Sequence, residues 1–184
     1  MSNNWVEFYK ARMNKSYRNH LRTRYKDTFD YIKSLGGETF GQFGCGMGNA
    51  SRFLAEDLTN TKHLLIDICK GMLGLANENM LDSSPNHKYD TILGDIKKQL
   101  KTTKLDVIHS HGVLEHFSDD DIRKVIANQK ELCDNLVHYV PSYKYLEPSF
   151  GDERLLKPQD WHDICKPDEI IESNDGYDLT LIWR

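Results

Sequence analysis

The stretch over 38–54 constrains this chain most, because a strand-like run there turns directly into a helical pattern. The β-prone run over 39–43 ends in Gly44, Gly46 and Gly48, each separated from the next by one residue. Glycine has no Cβ, so the backbone can turn sharply and approach a ligand closely. Parallel α/β sheets build nucleotide-type pockets in this way, at the carboxyl end of the first strand. We therefore predict a pocket of that kind at this junction.

Composition limits the class of protein. The 184 residues suit one domain that buries a core without disulfides. A net charge of −4 does not favour the basic face of a nucleic-acid binder. The N-terminal residues are charged where a secretory signal needs an apolar core, and no apolar run approaches membrane-spanning length. Four scattered cysteines form no CxxC pair, so we expect a reducing, cytoplasmic location.

The chain alternates between strand-like and helical patterns. Residues 4–34 predict helix, with Asn14 as a candidate break, and Asn49 is a candidate cap for a later helix. Asn174-Asp175-Gly176 is a hairpin turn signal between the last two strands. Five β–α units and this hairpin predict an α/β fold: a doubly wound, mostly parallel seven-stranded sheet with an antiparallel C-terminal strand. The predicted strands lie at 39–43, 63–68, 91–95, 105–110 and 135–140, and the helices between them at 49–57, 71–81, 118–132 and 158–165.

Three interpretations of the glycine loop compete. A P-loop is disfavoured because its GxxxxGK[ST] string is absent. The dinucleotide fingerprint GxGxxG is matched in part by Gly46 and Gly48, with Ser51 in the third glycine position. The run over 42–48 resembles the first motif of the class I S-adenosylmethionine-dependent methyltransferases, (D/E)-x-G-x-G-x-G. Gln42 stands where that motif has an acid, and its amide can still hydrogen-bond the ligand or a loop N–H.

Three further landmarks carry the resemblance over 38–142. Asp67 ends the second predicted strand, where the family places an acid for the ribose hydroxyls. Gly94-Asp95-Ile96 ends the third strand, and the run over 110–117 resembles the family's "gvLEHf" signature. The resemblance implies the Rossmann-like methyltransferase fold and S-adenosylmethionine as cofactor. It also implies these cofactor-binding residues: Gln42, Phe43, Gly44, Cys45, Gly46, Gly48, Asp67, Ile68, Met72, Asp95, Ile96 and His111.

Methyl transfer from a sulfonium is a direct displacement that needs alignment, and a base only if the acceptor must lose a proton. The candidate catalytic residues are His111, Glu115 and His116, which follow the fourth predicted strand. In the family that the motifs resemble, the Glu-His pair is often architectural, so His111 is the better candidate for a contact. His109 and His111 share a face of the strand, but no carboxylate or cysteine stands at a recognised spacing, so we predict no metal site.

The acceptor is predicted less directly than the cofactor. The resemblance implies one methyltransferase domain over 1–184, with a helical lid over 1–35 and an α/β core over 38–184. The loop over 141–157 would complete the lid. No (D/N)PP(Y/F) string follows the fourth strand, which argues against the DNA enzymes that it marks. We predict a small-molecule acceptor, no DNA or membrane partner, and a monomer or homodimer. The alternatives are a protein or RNA methyltransferase with a partner subunit, a non-catalytic cofactor-binding subunit, and an NAD-linked oxidoreductase.

Overall fold

A computed structural model describes residues 5–84 and 86–184. Three helices open it: α1 (Trp5–Lys10), α2 (Lys15–Arg24) and α3 (Lys26–Leu35). The predicted helical region breaks at Asn14, whose side chain accepts the Tyr17 N–H and so caps α2. It breaks again at Tyr25, which separates α2 from α3. Residue 4, where the predicted region begins, lies outside the described residues.

The α/β part follows the predicted alternation with one correction. The structure has no helix in the described segment 94–106, so the third strand lacks the helix of a β–α unit. That segment is rich in lysine, and Ile96, Leu100 and Leu105 give too few apolar residues for a buried helical face. The elements are β1 (Thr39–Phe43), α4 (Asn49–Asp57), β2 (Lys62–Asp67), α5 (Lys70–Ser83), β3 (Lys88–Leu93), β4 (Val107–His111), α6 (Asp119–Lys130), β5 (Leu136–Pro141), α7 (Pro158–Cys165), β6 (Glu169–Ser173) and β7 (Asp178–Trp183).

Two local predictions need adjustment. The third strand runs over 88–93 rather than 91–95, because it is an edge strand whose polar residues face solvent. Asn49 is the first residue of α4 and not its cap, since Gly48 occupies the cap position in the left-handed conformation. The Asn49 side chain instead accepts a hydrogen bond from Asn79 Nδ2 at 2.9 Å, which ties α4 to α5.

The seven strands form one sheet in the order β3-β2-β1-β4-β5-β7-β6. Strands β1 to β5 pair in parallel, and β7 lies antiparallel between β5 and β6. The chain moves outward from β1 to β3 and then crosses back to β4, so the strand order reverses between β1 and β4. Doubly wound sheets bind ligands outside the carboxyl ends of the strands at this reversal.

Apolar side chains cover both faces of the sheet. On one face, the α3 residues Phe29 and Ile32 pack with Phe53 of α4 and with Phe40 of β1. On the other face, α6 and α7 bury a larger cluster that includes Trp161. Within the described ranges, no helix has the length and apolar character that crossing a membrane requires.

Candidate active site

A cleft of about 320 Å³ lies at the carboxyl ends of β1, β2 and β4. The glycine loop forms one wall, and aromatic residues of α1 and α2 face it. Phe43 does not line the cleft, because its side chain is buried in the core, and neither does Gly48, which faces Leu65 and Ala76. The predicted cofactor residues that do line it are Gln42, Gly44, Cys45, Gly46, Asp67, Ile68, Met72, Asp95, Ile96 and His111.

The glycine loop requires glycine for reasons of space and of backbone conformation. Gly44 has φ of 71°, and a Cβ there would lie 2.8 Å from a methyl group of Val113. Gly46 has φ of 53° and lines the cleft with its bare backbone, so a Cβ would occupy space that a ligand could use. L-residues with side chains rarely adopt this left-handed conformation. The loop is therefore built for close backbone approach.

Asp67 joins the glycine loop to the start of α5. Its Oδ2 accepts the Gly46 N–H at 2.9 Å, and its Oδ1 accepts the Cys69 N–H at 2.8 Å. Burial raises the pKa of Asp67, although these backbone hydrogen bonds oppose the rise. Each carboxylate oxygen keeps a further lone pair, so the side chain can also accept from vicinal hydroxyls in the cleft. Acceptor oxygens in this position fit the two hydroxyl groups of the ribose of S-adenosylmethionine.

Gln42 is committed to the protein. Its Nε2 donates to the Cys45 carbonyl at 3.2 Å, and its Oε1 accepts the Ser51 N–H at 3.0 Å. The amide therefore bonds a loop carbonyl and a helix N–H, and not the loop N–H that the sequence suggested. The side chain is buried and fixes the loop against the first turn of α4.

The opposite end of the cleft is more apolar. Ile68 is 69% exposed and Met72 is buried, and both of these predicted cofactor-binding residues line this end of the cleft. Asp95 Oδ1 accepts the Lys97 N–H at 3.0 Å, so this acid also supports its own turn. Gly94, which belongs to the Gly94-Asp95-Ile96 landmark, also lines the cleft, together with Cys69 and Lys97, which were not among the predicted site residues.

A second cavity of about 220 Å³, which we call the adjoining pocket, shares part of its wall with the cleft. The shared wall contains Tyr9, Tyr25, His111, Gly112 and His116, among others. Beyond it, the adjoining pocket is lined by aromatic rings and by carboxylates from the loop after β5, including Phe150, Glu147 and Glu153. The structure therefore brings all three candidate catalytic residues to one pocket, His111 and His116 at the shared wall and Glu115 deeper.

His111 is packed among aromatic rings. Its ring centroid lies 5.0 Å from that of Tyr25, 5.2 Å from Phe29 and 6.2 Å from Tyr139. Burial lowers the pKa of His111 to about 3, so the ring is neutral at physiological pH. In the described ranges, neither ring nitrogen has a hydrogen-bond partner in the protein. A neutral imidazole with an unused acceptor suits a contact with a hydroxyl or amine.

Glu115 and His116 differ in environment although they are adjacent in a 3₁₀ turn. Glu115 is fully buried, and burial raises its pKa to about 8. The backbone N–H groups of Val113 and of Glu115 itself oppose this rise in pKa without reaching hydrogen-bonding geometry. The His116 ring meets the Trp5 ring edge-on at 5.3 Å, and its Nδ1 lies 3.0 Å from a carboxylate oxygen of Asp152.

Two groups of functional side chains escaped the sequence analysis. Trp5 and Phe150 form a T-shaped pair at 4.6 Å that brings α1 onto the loop after β5. Arg24 and Asp178 form an ion pair at 3.0 Å beside the adjoining pocket. Both pairs join residues that are far apart in the chain, and nothing local in the sequence marks Phe150 as the partner of Trp5 or Asp178 as the partner of an arginine in α2.

A Rossmann-like binding domain is thus defined by the sheet order, the glycine loop and the acid that follows β2. A family model described as a methyltransferase domain matches residues 42–135, just over half of the chain. The chain belongs to this family, which is part of the class I S-adenosylmethionine-dependent methyltransferase superfamily. The predicted superfamily and fold are confirmed, and S-adenosylmethionine is the methyl donor of that superfamily. No curated protein sequence matches the chain significantly.

Solved structures share the fold at low sequence identity. A Nostoc punctiforme protein assigned as an O-methyltransferase superposes with a TM-score of 0.80 and 12% identity over 100% of this chain and 61% of its own. Magnesium protoporphyrin IX methyltransferase from Synechocystis, with bound S-adenosylhomocysteine, superposes with a TM-score of 0.66 and 19% identity. The match covers 92% of this chain and 87% of the Synechocystis chain. A small RNA methyltransferase superposes with a TM-score of 0.72 and 16% identity, over 89% of this chain and 25% of its own. The chain therefore spans less than two thirds of the Nostoc protein.

Proposed function

We propose that this protein transfers a methyl group from S-adenosylmethionine to a small molecule held in the adjoining pocket. The observation that carries the proposal is the wall shared by the two cavities, with His111 and His116 in it. Direct displacement needs the acceptor and the donor in line and in contact, and adjacent cavities provide that arrangement. A volume of about 220 Å³ suits a small acceptor.

The residues that would hold the cofactor are those of the cleft. Asp67 would accept hydrogen bonds from the ribose hydroxyls while it keeps the loop in place through the Gly46 N–H. Ile68 and Met72 would flank the adenine ring, and Asp95 would receive its amino group. When bound, S-adenosylmethionine supplies an electrophilic methyl group on a positively charged sulfur. The aromatic wall formed by Tyr9 and its neighbours favours such a charge and excludes water.

His111 is the residue that we propose to contact the acceptor. Its neutral ring can accept a hydrogen bond from a hydroxyl or amine and so orient the lone pair that attacks. The packing of Tyr25, Phe29 and Tyr139 around it restricts the ring to a small range of positions, which suits alignment. Glu115 would shape the deeper part of the pocket, and His116 would form part of the shared wall.

An RNA acceptor is the alternative that the structural similarity to a small RNA methyltransferase raises. The net charge of −4 disfavours it, because RNA binding relies on basic side chains that neutralise phosphates. A cytoplasmic location and a monomeric or dimeric state remain predictions.

The first experiment is calorimetry of the wild type and of Asp67→Ala with S-adenosylmethionine and S-adenosylhomocysteine. We expect the wild type to bind both ligands and the variant to bind them more weakly. Absence of binding by the wild type would refute the cofactor assignment. The second experiment incubates the protein and labelled S-adenosylmethionine with separate metabolite, RNA and protein fractions. Label in the metabolite fraction supports the proposal, and label confined to RNA or protein contradicts it.

A further inference from the structure

Glu115, His116 and Glu153, which we call the Glu-His-Glu cluster, lie together in the adjoining pocket. One ligand-type atom from each residue lies within 4.8 Å of the others. The first two residues come from the 3₁₀ turn after β4, and the third comes from the loop after β5. Carboxylate oxygens and imidazole nitrogens at such separations can reach a common cation, because these atoms bind divalent metals at about 2.0–2.4 Å.

Glu115 supplies independent evidence for a missing partner. Its side chain has no solvent exposure, and neither carboxylate oxygen has a hydrogen-bond partner among residues 5–84 and 86–184. Burying a carboxylate without donors is costly, so the side chain either takes up a proton, as the raised pKa of Glu115 allows, or pairs its charge with a cation. The charge of Arg24 acts on Glu115, but this arginine already pairs with Asp178. A bound cation would satisfy Glu115 where the protein does not.

The other two members of the cluster are held by neighbours. The Nδ1 of His116 lies 3.0 Å from Asp152 Oδ1, so a proton on Nδ1 leaves the Nε2 lone pair available. Ser149 donates to both oxygens of Glu153, through its backbone N–H and its hydroxyl, each at 2.6 Å. A carboxylate behind a histidine, and donors behind a carboxylate, are the supporting contacts typical of metal ligands.

We propose that the Glu-His-Glu cluster binds one divalent cation such as Mn²⁺ or Zn²⁺. Two carboxylates balance the charge of the ion, and the imidazole favours these metals over Ca²⁺. Three protein ligands leave coordination positions open toward the adjoining pocket, where water or an oxygen of the acceptor can bind. Sequence alone predicted no metal site, because Glu153 is distant in the chain from the Glu-His pair.

In the test, metal-free wild-type protein is titrated with Mn²⁺. Binding is measured by calorimetry and by the decrease of the electron paramagnetic resonance signal of the free ion. Zn²⁺ is titrated in parallel by calorimetry. We expect one ion per chain. Glu153→Gln should weaken Mn²⁺ binding by roughly tenfold or more, because it removes a charged ligand from a partly exposed loop without disturbing the core. Glu147→Gln is the matched control, since Glu147 lines the same pocket outside the cluster, and it should leave the affinity unchanged.

Binding of neither Mn²⁺ nor Zn²⁺ by the wild type would overturn the proposal. Equal weakening by Glu153→Gln and Glu147→Gln would also overturn it, because the ion would then respond to the general charge of the pocket. S-adenosylhomocysteine binding is measured on the same samples. A protein that binds this ligand but no metal refutes the metal site alone, whereas a protein that binds metal but no ligand refutes the cofactor assignment alone.

Discussion

Three buried histidines on the sheet make the fold sensitive to acid. His63, His109 and His138 lie on β2, β4 and β5, and none has solvent exposure. Burial lowers the pKa of His63 to about 4 and that of His138 to about 3, and it holds the pKa of His109 well below 6.5. The unfolded chain takes up these protons near pH 6.5, whereas the folded chain does not. Lowering the pH from 7 to 5 therefore favours unfolding.

The size of the effect follows from proton linkage. A histidine whose pKa falls from about 6.5 to about 4 on folding costs about 2 kcal/mol of stability between pH 7 and pH 5. His63, His138 and His111, whose pKa values fall to about 3 or 4, together give about 6 kcal/mol, and His109 acts in the same direction. Glu115 acts in the opposite direction, because its raised pKa lets the folded state bind a proton first, and it offsets about 2 to 3 kcal/mol. The net loss is then at least about 3 kcal/mol, a large fraction of the stability of a typical domain.

The assay is urea unfolding at pH 7, 6, 5.5 and 5, with a chelator present so that no metal occupies the Glu-His-Glu cluster. His109→Leu is the informative variant, because neither ring nitrogen of His109 has a partner in the described part of the chain. It should match or exceed wild-type stability at pH 7 and lose less stability than the wild type between pH 7 and pH 5. His162→Gln, on the exposed face of α7, should follow the wild type. Parallel curves for the wild type and His109→Leu would refute the reasoning.

Other predictions concern the cleft and its cover. Asp67→Asn should weaken S-adenosylhomocysteine binding about 10- to 100-fold in calorimetry, because it disrupts hydrogen bonds to a charged carboxylate. Asp90→Asn is the control, since Asp90 is exposed, and it should leave the affinity unchanged. Equal affinities of the two variants would contradict the ribose assignment. In Gly71→Ala the new Cβ would lie 2.8 Å from a methyl group of Val6, so we expect displacement of α1 and weaker ligand binding. The Cβ of Gly74→Ala, on the same helix, would meet no atom within 4 Å. This variant should gain about 0.5–1 kcal/mol of stability in urea unfolding and keep its ligand affinity. Weaker ligand binding by Gly74→Ala and unchanged binding by Gly71→Ala would exclude a role of α1 in binding.

The fold was predictable because most of its signals are local or periodic. Buried parallel strands are apolar runs in the sequence, as in β5, where every residue is buried. The edge strand β3 shows the limit: Lys88 and Asp90 face solvent there, so the run looked polar and its start was placed three residues late. The segment after β3 was interpreted as partly helical, although only tertiary packing decides whether so polar a segment forms a helix.

The candidate site likewise has one part that the sequence predicts and one part that depends on tertiary packing. The glycine loop and Asp67 were found because their spacing along the chain encodes their contact in space. Glu153 and Trp5 reach the site from a loop and from an N-terminal helix, and their contacts with His116 depend on how those segments pack. No periodicity or spacing in a single sequence carries that information.

The polar network around Asp178 explains why α2 belongs to the pocket. Asp178 begins β7 and is fully buried, and it accepts hydrogen bonds from Arg24 of α2, from Tyr139 of β5 and from Tyr145. These three donors also line the adjoining pocket. Removing one partner of a buried ion pair typically costs 3–5 kcal/mol, so the network fixes α2 and the aromatic rings together.

Helix α1 differs from the helices that follow it, because none of its residues is fully buried. Its contacts include the ring of Phe150, His116, and the cluster of Met47, Met72 and Leu75 between the glycine loop and α5. Segments with little buried surface separate from a domain at the lowest free energy. We therefore expect ligands to enter by displacement of α1 alone, while α2 and α3 stay in place as the wall and the core. The covering element is then six residues long, shorter than the helical lid that the sequence indicated.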